Sequence, residues 1–370
     1  MNLCKAFRAS IVPACVFQSV AIAGGYGTGR EVIEFFTQYG AIGGVCGLLV
    51  AALVLSIITG LTYEFARVNE AYEYRKFFKS LIGRYWIGFE LLYIGFFLLV
   101  LAVIGSAAGA ILHDQFSLPE SSGLILMLGG ISVLIFYGRS LVEKTLVFWA
   151  VMLCGVFIFY FITSISSSME EIKMHFTGDK MESGWLMPAL RYSMALAPAA
   201  VVVLFATRGL TTRVEAFTAG AMSSLLFILP GLMLHISFTG MMPEIIEQKV
   251  PVHWIISQLD IPLLAPLYII VLIGTFIGTG AGFIQAVNER LDAWSMERLG
   301  KRLSSITHAG VAIAGLLISA GLSKFGIIDL IAKGYGNASW GFLLFYIIPL
   351  LTIGVYRIFG RTAVKGVVRM

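Results

Sequence analysis

The stretch Ala23-Gly24-Gly25-Tyr26-Gly27-Thr28-Gly29-Arg30-Glu31 puts four glycines, an arginine and a glutamate inside an otherwise apolar run. Glycine lets a helix unwind, and unwinding frees backbone N–H and C=O groups to hold something. Freed amides at the start of a half-helix suit an anion such as a carboxylate. Hydrocarbon tolerates such backbone only where protein buries it or it lines a cavity. Packing is the competing use, because Gly25 and Gly29 also make a G-x-x-x-G spacing, which brings helices close. The spacing is not G-x-G-x-x-G and no strand precedes it, so a dinucleotide loop is excluded.

A second interrupted run reads Pro188-Ala189-Leu190-Arg191-Tyr192-Ser193-Met194-Ala195-Leu196-Ala197-Pro198. Proline removes an N–H and breaks the helical ladder, so a break is expected near Tyr192 to Pro198. Tyr192 and Ser193 join Gly24, Gly25, Tyr26, Gly27, Thr28 and Gly29 as candidate cargo-binding residues. Gly27 is expected to approach the cargo so closely that a side chain there would displace it. Arg30, Glu31, Glu34 and Arg191 are charges inside apolar runs, which marks them as functional candidates. Arg30 and Glu34 are spaced i, i+4 and can neutralise each other. The alternative pairs Arg191 with Glu31 or Glu34 as a gate between the two broken runs.

The elements that must position these residues follow from composition. The chain is 370 residues, 58% hydrophobic and 13% charged, with mean hydropathy +0.89. Soluble domains carry about 25% charge. Apolar runs of roughly membrane-crossing length fall at 8–38, 41–67, 85–112, 121–138, 142–165, 185–207, 213–239, 263–289, 304–322 and 338–357, which makes ten spans. A short helix on or in the outer face is expected between Pro243 and Asp260, and another short element between Phe325 and Gly336. With the N-terminus inside, 19 of the 26 basic residues fall in cytoplasmic segments, as the positive-inside rule requires. Both termini are then cytoplasmic. Ten spans split into halves of five, 1–170 and 171–370, and an odd number per half inverts their orientation. The broken spans one and six then occupy matching places. The fold expected is all-α and integral to the membrane.

Several motifs carry a resemblance. They are Gly25-Tyr26-Gly27-Thr28-Gly29-Arg30-Glu31, Thr212-Arg213-Val214-Glu215-Ala216, Gly278-Thr279-Gly280-Ala281-Gly282 with Asn288-Glu289-Arg290, Phe325 to Gly336, and Pro349 to Gly354. In these the chain resembles YkvI-type bacterial membrane proteins of the amino acid–polyamine–organocation superfamily. The resemblance implies a LeuT-like fold in the bacterial cytoplasmic membrane, with cargo held between spans one, three, six and eight. It also implies a sodium ion between the Ala21 and Gly24 carbonyls and the Thr279 hydroxyl, with Thr275 beside it. The chain departs from the usual adjacent hydroxyl pair, having Gly278 and Gly280 around Thr279. Proton-coupled relatives place a lysine inside span five, and none stands there. Sodium is the coupling ion this implies, with a proton as the alternative.

Other classes fit less well. The net charge of +5 is carried by loops, and no basic stripe interleaved with aromatics points to nucleic acid. No nucleophile–base pair, phosphate loop or metal-ligand spacing points to an enzyme. Cys4, Cys15, Cys46 and Cys154 suggest neither a disulfide nor a metal site. Lys5, Arg8 and Ala21-Ile22-Ala23 have the shape of a cleavable signal peptide, but the apolar run resumes at Val32. Gly-Tyr-Gly occurs at 25–27 and 334–336 without the Thr-Val of a potassium filter. The expected function is ion-coupled secondary transport of a small solute, an amino acid or related amine. The alternative is a solute sensor that keeps a transporter fold. Glu64 and Glu90 are expected to meet Arg67 and Arg84, and His235 and His308 to be packing residues. Phe96, Phe97, Phe157 and Phe159 are expected to face lipid or core.

Overall fold

The structure, a computed structural model, describes residues 3–360 except 23, 138, 179, 260 and 302. Every regular element among the described residues is helical. Seven helices are long and apolar enough to cross a membrane: Arg30–Asn69, Tyr74–Phe116, Phe148–Ser167, Arg213–Thr239, Leu264–Asp292, Ile306–Ser323 and Ile327–Gly360. Three shorter apolar helical stretches, Ala9–Ala21, Ser121–Tyr137 and Leu186–Val202, accompany them. Two of the three are the runs that the sequence interrupts.

In chain order, α1 is Leu3–Ala21, α2 Gly24–Thr28, α3 Arg30–Phe35 and α4 Gly40–Asn69. Then come α5 Tyr74–Ile82, α6 Trp86–Phe116, α7 Ser121–Tyr137, α8 Arg139–Ser167 and α9 Met169–Gly178. The run continues with α10 Leu186–Leu196, α11 Ala199–Val202, α12 Arg213–Thr239, α13 Pro251–Gln258, α14 Leu264–Leu299 and α15 Ser305–Ser323. The last, α16, runs from Ile327 to Gly360. It passes through π-helical turns at Leu330–Tyr335, Leu343–Ile347 and Leu350–Gly354. The separate short element expected at Phe325 to Gly336 is therefore wrong from Ile327 on: π turns widen the helix without ending it.

Local signals explain the boundaries. Thr212 caps α12: its Oγ1 accepts from the Glu215 amide at 3.2 Å, and Glu215 Oε2 accepts from the Thr212 amide at 3.1 Å. This is a capping box. Gly300 ends α14 at φ 67°, a left-handed cap open to glycine. The segment after α12 forms the short helix α13 and is tied into the protein. Ile245, Val250, Val252, Ile255 and Ile256 are all buried.

The helices gather in two groups. In one, α12 packs along α4 and α1, and α10 and α11 pack on α4. In the other, α14 packs on α6, α7 and α8, and α15 on α6 and α7. The short pieces α2 and α3 lie between the groups, with α2 against α6 and α14 and α3 against α12. Close glycine contacts hold each group. At Gly220 of α12 a Cβ would stand 2.5 Å from Gly60 Cα of α4, and Thr59 Oγ1 donates to the Gly220 carbonyl at 2.9 Å. Gly123 of α7 meets Gly109 of α6 as closely. On α14, Gly274 makes room for Trp149 and Gly280 for Ile131.

This contact sets a stability test. Gly220→Val must push α12 off α4 and is expected to cost at least 1–3 kcal/mol, roughly the range for overpacking. Gly129→Ala faces open space and is expected to leave thermal unfolding in detergent unchanged or slightly raised. Equal melting temperatures for the two variants would refute the close approach.

Candidate functional site

The first break is double. The amide of Ile22 still bonds the Gln18 carbonyl at 2.9 Å, closing α1, and Ala23 lies outside the described residues. The chain re-enters a helical turn at Gly24 and leaves it at Gly29, whose φ of 80° is easy for glycine and strained for other residues. The expectation of an unwound Gly24–Gly29 is corrected here. Gly24, Gly25, Tyr26, Gly27 and Thr28 keep one turn, which satisfies backbone groups internally, and the breaks flank it. The Gly27 carbonyl accepts from the Tyr268 hydroxyl at 2.8 Å, and Thr28 Oγ1 accepts from the Arg30 amide at 3.1 Å. The missing Cβ of Gly27 points at Leu272 Cδ1, 2.5 Å away, with Leu153 and Phe276 behind it. Gly27 is thus a packing glycine against α14 and α8.

The second break lies at Ala197–Pro198, between α10 and α11. It falls at the far end of the expected stretch Tyr192 to Pro198, and Tyr192 and Ser193 are helical residues before it. Ser193 Oγ donates to the Ala189 carbonyl at 2.8 Å, so it serves its own helix. Pro198 has no N–H to continue the ladder, and the Ala200 amide bonds Ala197 instead, at 3.1 Å.

The two breaks meet at one cavity of about 50 Å³. Ala21 from the end of α1 and Pro198 from the second break line it, with Tyr93 and Phe97 of α6, Phe283 of α14 and Tyr335 of α16. Glu31 is its one charged residue. The carboxylate is 3% exposed, and its Oε2 accepts from the Tyr192 hydroxyl at 3.1 Å. The Tyr335 hydroxyl also turns toward it. Among the described residues Glu31 forms no salt bridge. Phe97 and Phe283 stack at 4.5 Å, and Tyr93 meets Phe97 at 4.0 Å. Behind Glu31, Tyr26 stacks on Tyr192 at 6.5 Å and tilts on Phe227 at 4.7 Å. The wall is therefore aromatic faces around a carboxylate, which suits a cation.

The sequence pointed to Glu31, Ala21 and, through Glu31, Tyr192. It missed Tyr93, Phe97, Phe283 and Tyr335 as lining residues, although Tyr335 stands in the repeated Gly-Tyr-Gly. Phe157 is buried like Phe97, and Phe159 is exposed.

Arg30 makes the local pair. Its Nη2 donates to Glu34 Oε2 at 3.1 Å, and its Nη1 to the carbonyls of Ile246 and Gln248 at 2.5 and 3.2 Å. It thereby ties α3 to the segment between α12 and α13. Arg191 pairs with neither Glu31 nor Glu34 in this structure. Its guanidinium lies against Gly336, where a Cβ would come within 2.9 Å of Cζ, and its Nε has no partner. Glu64 meets Arg67 at 2.8 Å as expected, and also Arg213 at 3.1 Å. Glu90 does not meet Arg84. It pairs with Arg290 at 3.1 Å, and Arg290 also covers the Tyr74 ring at 4.2 Å. His235 bridges Thr37 and the Ala41 carbonyl at 2.9 and 2.8 Å, and His308 meets Asp292 at 2.9 Å.

Of the expected sodium ligands, Thr275 is buried and donates to the Val271 carbonyl at 2.8 Å. Thr279 is buried as well. Among the described residues, no three His, Cys, Asp or Glu side chains gather to hold a metal ion.

Neither a family model nor a curated protein sequence matches this chain. Solved structures do resemble it. A manganese transporter from Eremococcus coleocola, bound to an aromatic bis-isothiourea compound, superposes with a TM-score of 0.61 at 13% identity, over 95% of this chain and 80% of that one. MhsT in complex with L-phenylalanine gives 0.56 at 12%, over 96% and 97%. A Na+-coupled sialic acid symporter in a substrate-bound outward-open state gives 0.53 at 14%, over 92% and 85%. The chain has the fold these transporters share, the LeuT fold. With its seven long apolar helices it is a multi-pass membrane protein.

Arg30 is the test of how the site is framed. Arg30→Gln removes two carbonyl contacts and an ion pair that are buried or nearly so. Charge-assisted hydrogen bonds contribute about 1.5–3 kcal/mol each, so a clear drop in melting temperature is expected. Faster amide exchange at 244–248 should accompany it, with Glu34→Gln milder on both counts. Unchanged exchange in Arg30→Gln would show that the clamp holds nothing.

Proposed function

We propose that this protein is a secondary active transporter that carries a small solute bearing an amine, an amino acid or a related amine. The observation that carries the reading is Glu31: a buried carboxylate without a cationic partner, in an aromatic cavity where two broken helices meet. A lone buried charge is costly. An ammonium group supplies the missing partner, and the faces of Tyr93, Phe97 and Tyr335 favour it further. A transition-metal cargo fits poorly, since such ions are held by several carboxylate, imidazole or sulfur ligands together. The cavity offers one carboxylate and, at about 50 Å³, room for only a few waters. A solute of amino-acid size therefore needs the two helix groups to part, which is the motion alternating access requires.

The finer reading keeps the ten spans as a five-plus-five inverted repeat, 1–170 and 171–370, in a bacterial cytoplasmic membrane with both termini inside. The YkvI-type motifs support a place in that family, and the basic residues near α5 support the orientation. Glu31, Tyr192 and Ala21 form the cargo site in this reading, while Gly24 to Gly29 shape it and Arg30, Glu34 and Arg191 act at its outer side. Sodium is the proposed coupling ion, held by the Ala21 and Gly24 carbonyls and Thr279. Thr275 is bonded to its own helix and contributes less.

Thermal-shift measurements over amino acids and simple amines, with and without sodium, test this directly. At least one amine-bearing solute should stabilise the protein, and Glu31→Gln should weaken it by about 30-fold or more, the loss of a buried charge pair at 2 kcal/mol or above. Carboxylates without an amine should give nothing. A solute that binds Glu31→Gln as tightly as wild type would exclude the assignment. Thr279→Ala should raise the sodium needed for half effect about fivefold or more. Solute binding that ignores sodium and changes steeply with pH would replace sodium by a proton.

A further inference from the structure

The short helix α5 buries one face and offers the other. Phe77, Phe78 and Leu81 are buried, and the Phe78 ring stacks on Phe89 at 3.8 Å and meets Tyr346 at 5.6 Å. Lys76 and Lys79 lie on the opposite side and are exposed, and Arg75 is half-buried. A turn at Gly83–Tyr85 follows and folds the start of α6 back onto this side. Arg75 Cζ then lies 5.1 Å, and Lys79 Nζ 5.7 Å, from the centre of the Trp86 ring. Arg84 covers the Tyr85 ring at 5.2 Å, and Arg357 of α16 donates to the Ser80 carbonyl. Among the described residues Lys76, Lys79 and Arg84 form no salt bridge, and Glu73, the acid beside them in the chain, pairs with none of the three. Like charges one turn apart repel, so such a patch attracts an anion.

The surroundings say which anion. Tyr85 is exposed, and so are Ile87 and Leu91, one turn apart on the membrane-crossing helix α6. A Tyr–Trp pair beside exposed aliphatic side chains marks a membrane interface, with the acyl region beyond it. An acidic protein would use the cations and leave Ile87 and Leu91 uncovered, whereas an anionic lipid covers both. The same helix also reaches the cavity. Tyr74 opens α5, its ring carries Arg290 at 4.2 Å and stacks on Tyr93 at 5.8 Å, and Tyr93 lines the cavity at Glu31.

We propose that Lys76, Lys79 and Arg84, with the Arg75–Trp86 stack, bind the phosphate headgroup of an anionic phospholipid whose acyl chains run along Ile87 and Leu91. The bound lipid steadies α5 and, through Tyr74 and Tyr93, one wall of the cavity. The site does not depend on what the cavity carries.

The test uses the purified full-length protein in dodecyl maltoside, freed of lipid and titrated with dioleoyl phosphatidylglycerol or dioleoyl phosphatidylcholine. Phosphatidylglycerol is expected to raise the melting temperature and to slow amide exchange over residues 74–82, and phosphatidylcholine to do neither. Each cation beside an anionic headgroup contributes about fivefold in affinity. A variant combining Lys76→Gln, Lys79→Gln and Arg84→Gln should therefore need at least tenfold more phosphatidylglycerol for half effect. Its control combines Lys173→Gln, Lys180→Gln and Lys324→Gln, which remove the same charge at other exposed positions and should leave the titration as in wild type. Equal titrations for the two variants, whether both weakened or both unchanged, would overturn the proposal. An equal effect of inorganic phosphate would overturn it too, because the acyl chains would then contribute nothing. Polyglutamate that binds more tightly than phosphatidylglycerol would replace the lipid by an acidic protein partner. Every substituted side chain is exposed, so all variants are expected to fold, and circular dichroism checks this.

Discussion

A helix that stops inside hydrocarbon exposes amides and carbonyls that lipid cannot satisfy. This chain stops two helices there, and much of the structure answers that constraint. The turn Gly24–Thr28 keeps part of the ladder between its two breaks. Tyr268 donates to the Gly27 carbonyl, and Thr28 accepts the Arg30 amide. Pro198, at the other break, has no amide to satisfy. Both breaks are then enclosed between the two helix groups, so neither faces lipid.

Enclosure has an electrostatic consequence. A carboxylate at the junction cannot reach bulk water, and Glu31 keeps only tyrosine hydroxyls as partners. Two nearby cations are engaged elsewhere, Arg30 with Glu34 and two carbonyls and Arg290 with Glu90 and the Tyr74 ring, and Arg191 lies against Gly336 rather than on Glu31. Pairing these cations elsewhere leaves Glu31 available. A cation that enters the cavity gains the interaction in a low-dielectric setting, where it is stronger than in water.

Much of this was legible in the sequence, and the gaps have physical causes. The span 213–239 matches α12 at both ends because a capping box and a long apolar run mark it together. The breaks were legible as glycines and prolines, but their form was not. Glycine permits an unwound chain and a helical turn equally, and tertiary contacts with Leu272 and Tyr268 choose the turn. Within the expected stretch Tyr192 to Pro198 the break falls at Ala197–Pro198, because proline interrupts bonding at its own position and leaves the preceding turn intact. Glu31 was visible as an intramembrane charge, yet its partners Tyr192 and Tyr335 are distant in sequence. Glu90 went astray for the same reason: Arg84 is near in the chain, whereas Arg290 is near in space. The π turns of α16 leave no periodic mark that composition would reveal.

The two-group packing gives these local facts a common direction. The α1–α4–α12 group is fixed within itself by backbone contact at Gly60 and Gly220, and the α6–α7–α14 group by Gly109 and Gly123. Bodies joined so closely move as units, because a close-packed interface resists gradual deformation. Glu31 lies where α2, α3 and the aromatic wall meet both groups, while α8 also touches α12 and α1, and α16 touches α10 and α6. A displacement of one group against the other would open the cavity at Glu31, which under the proposed function is where the cargo enters and leaves.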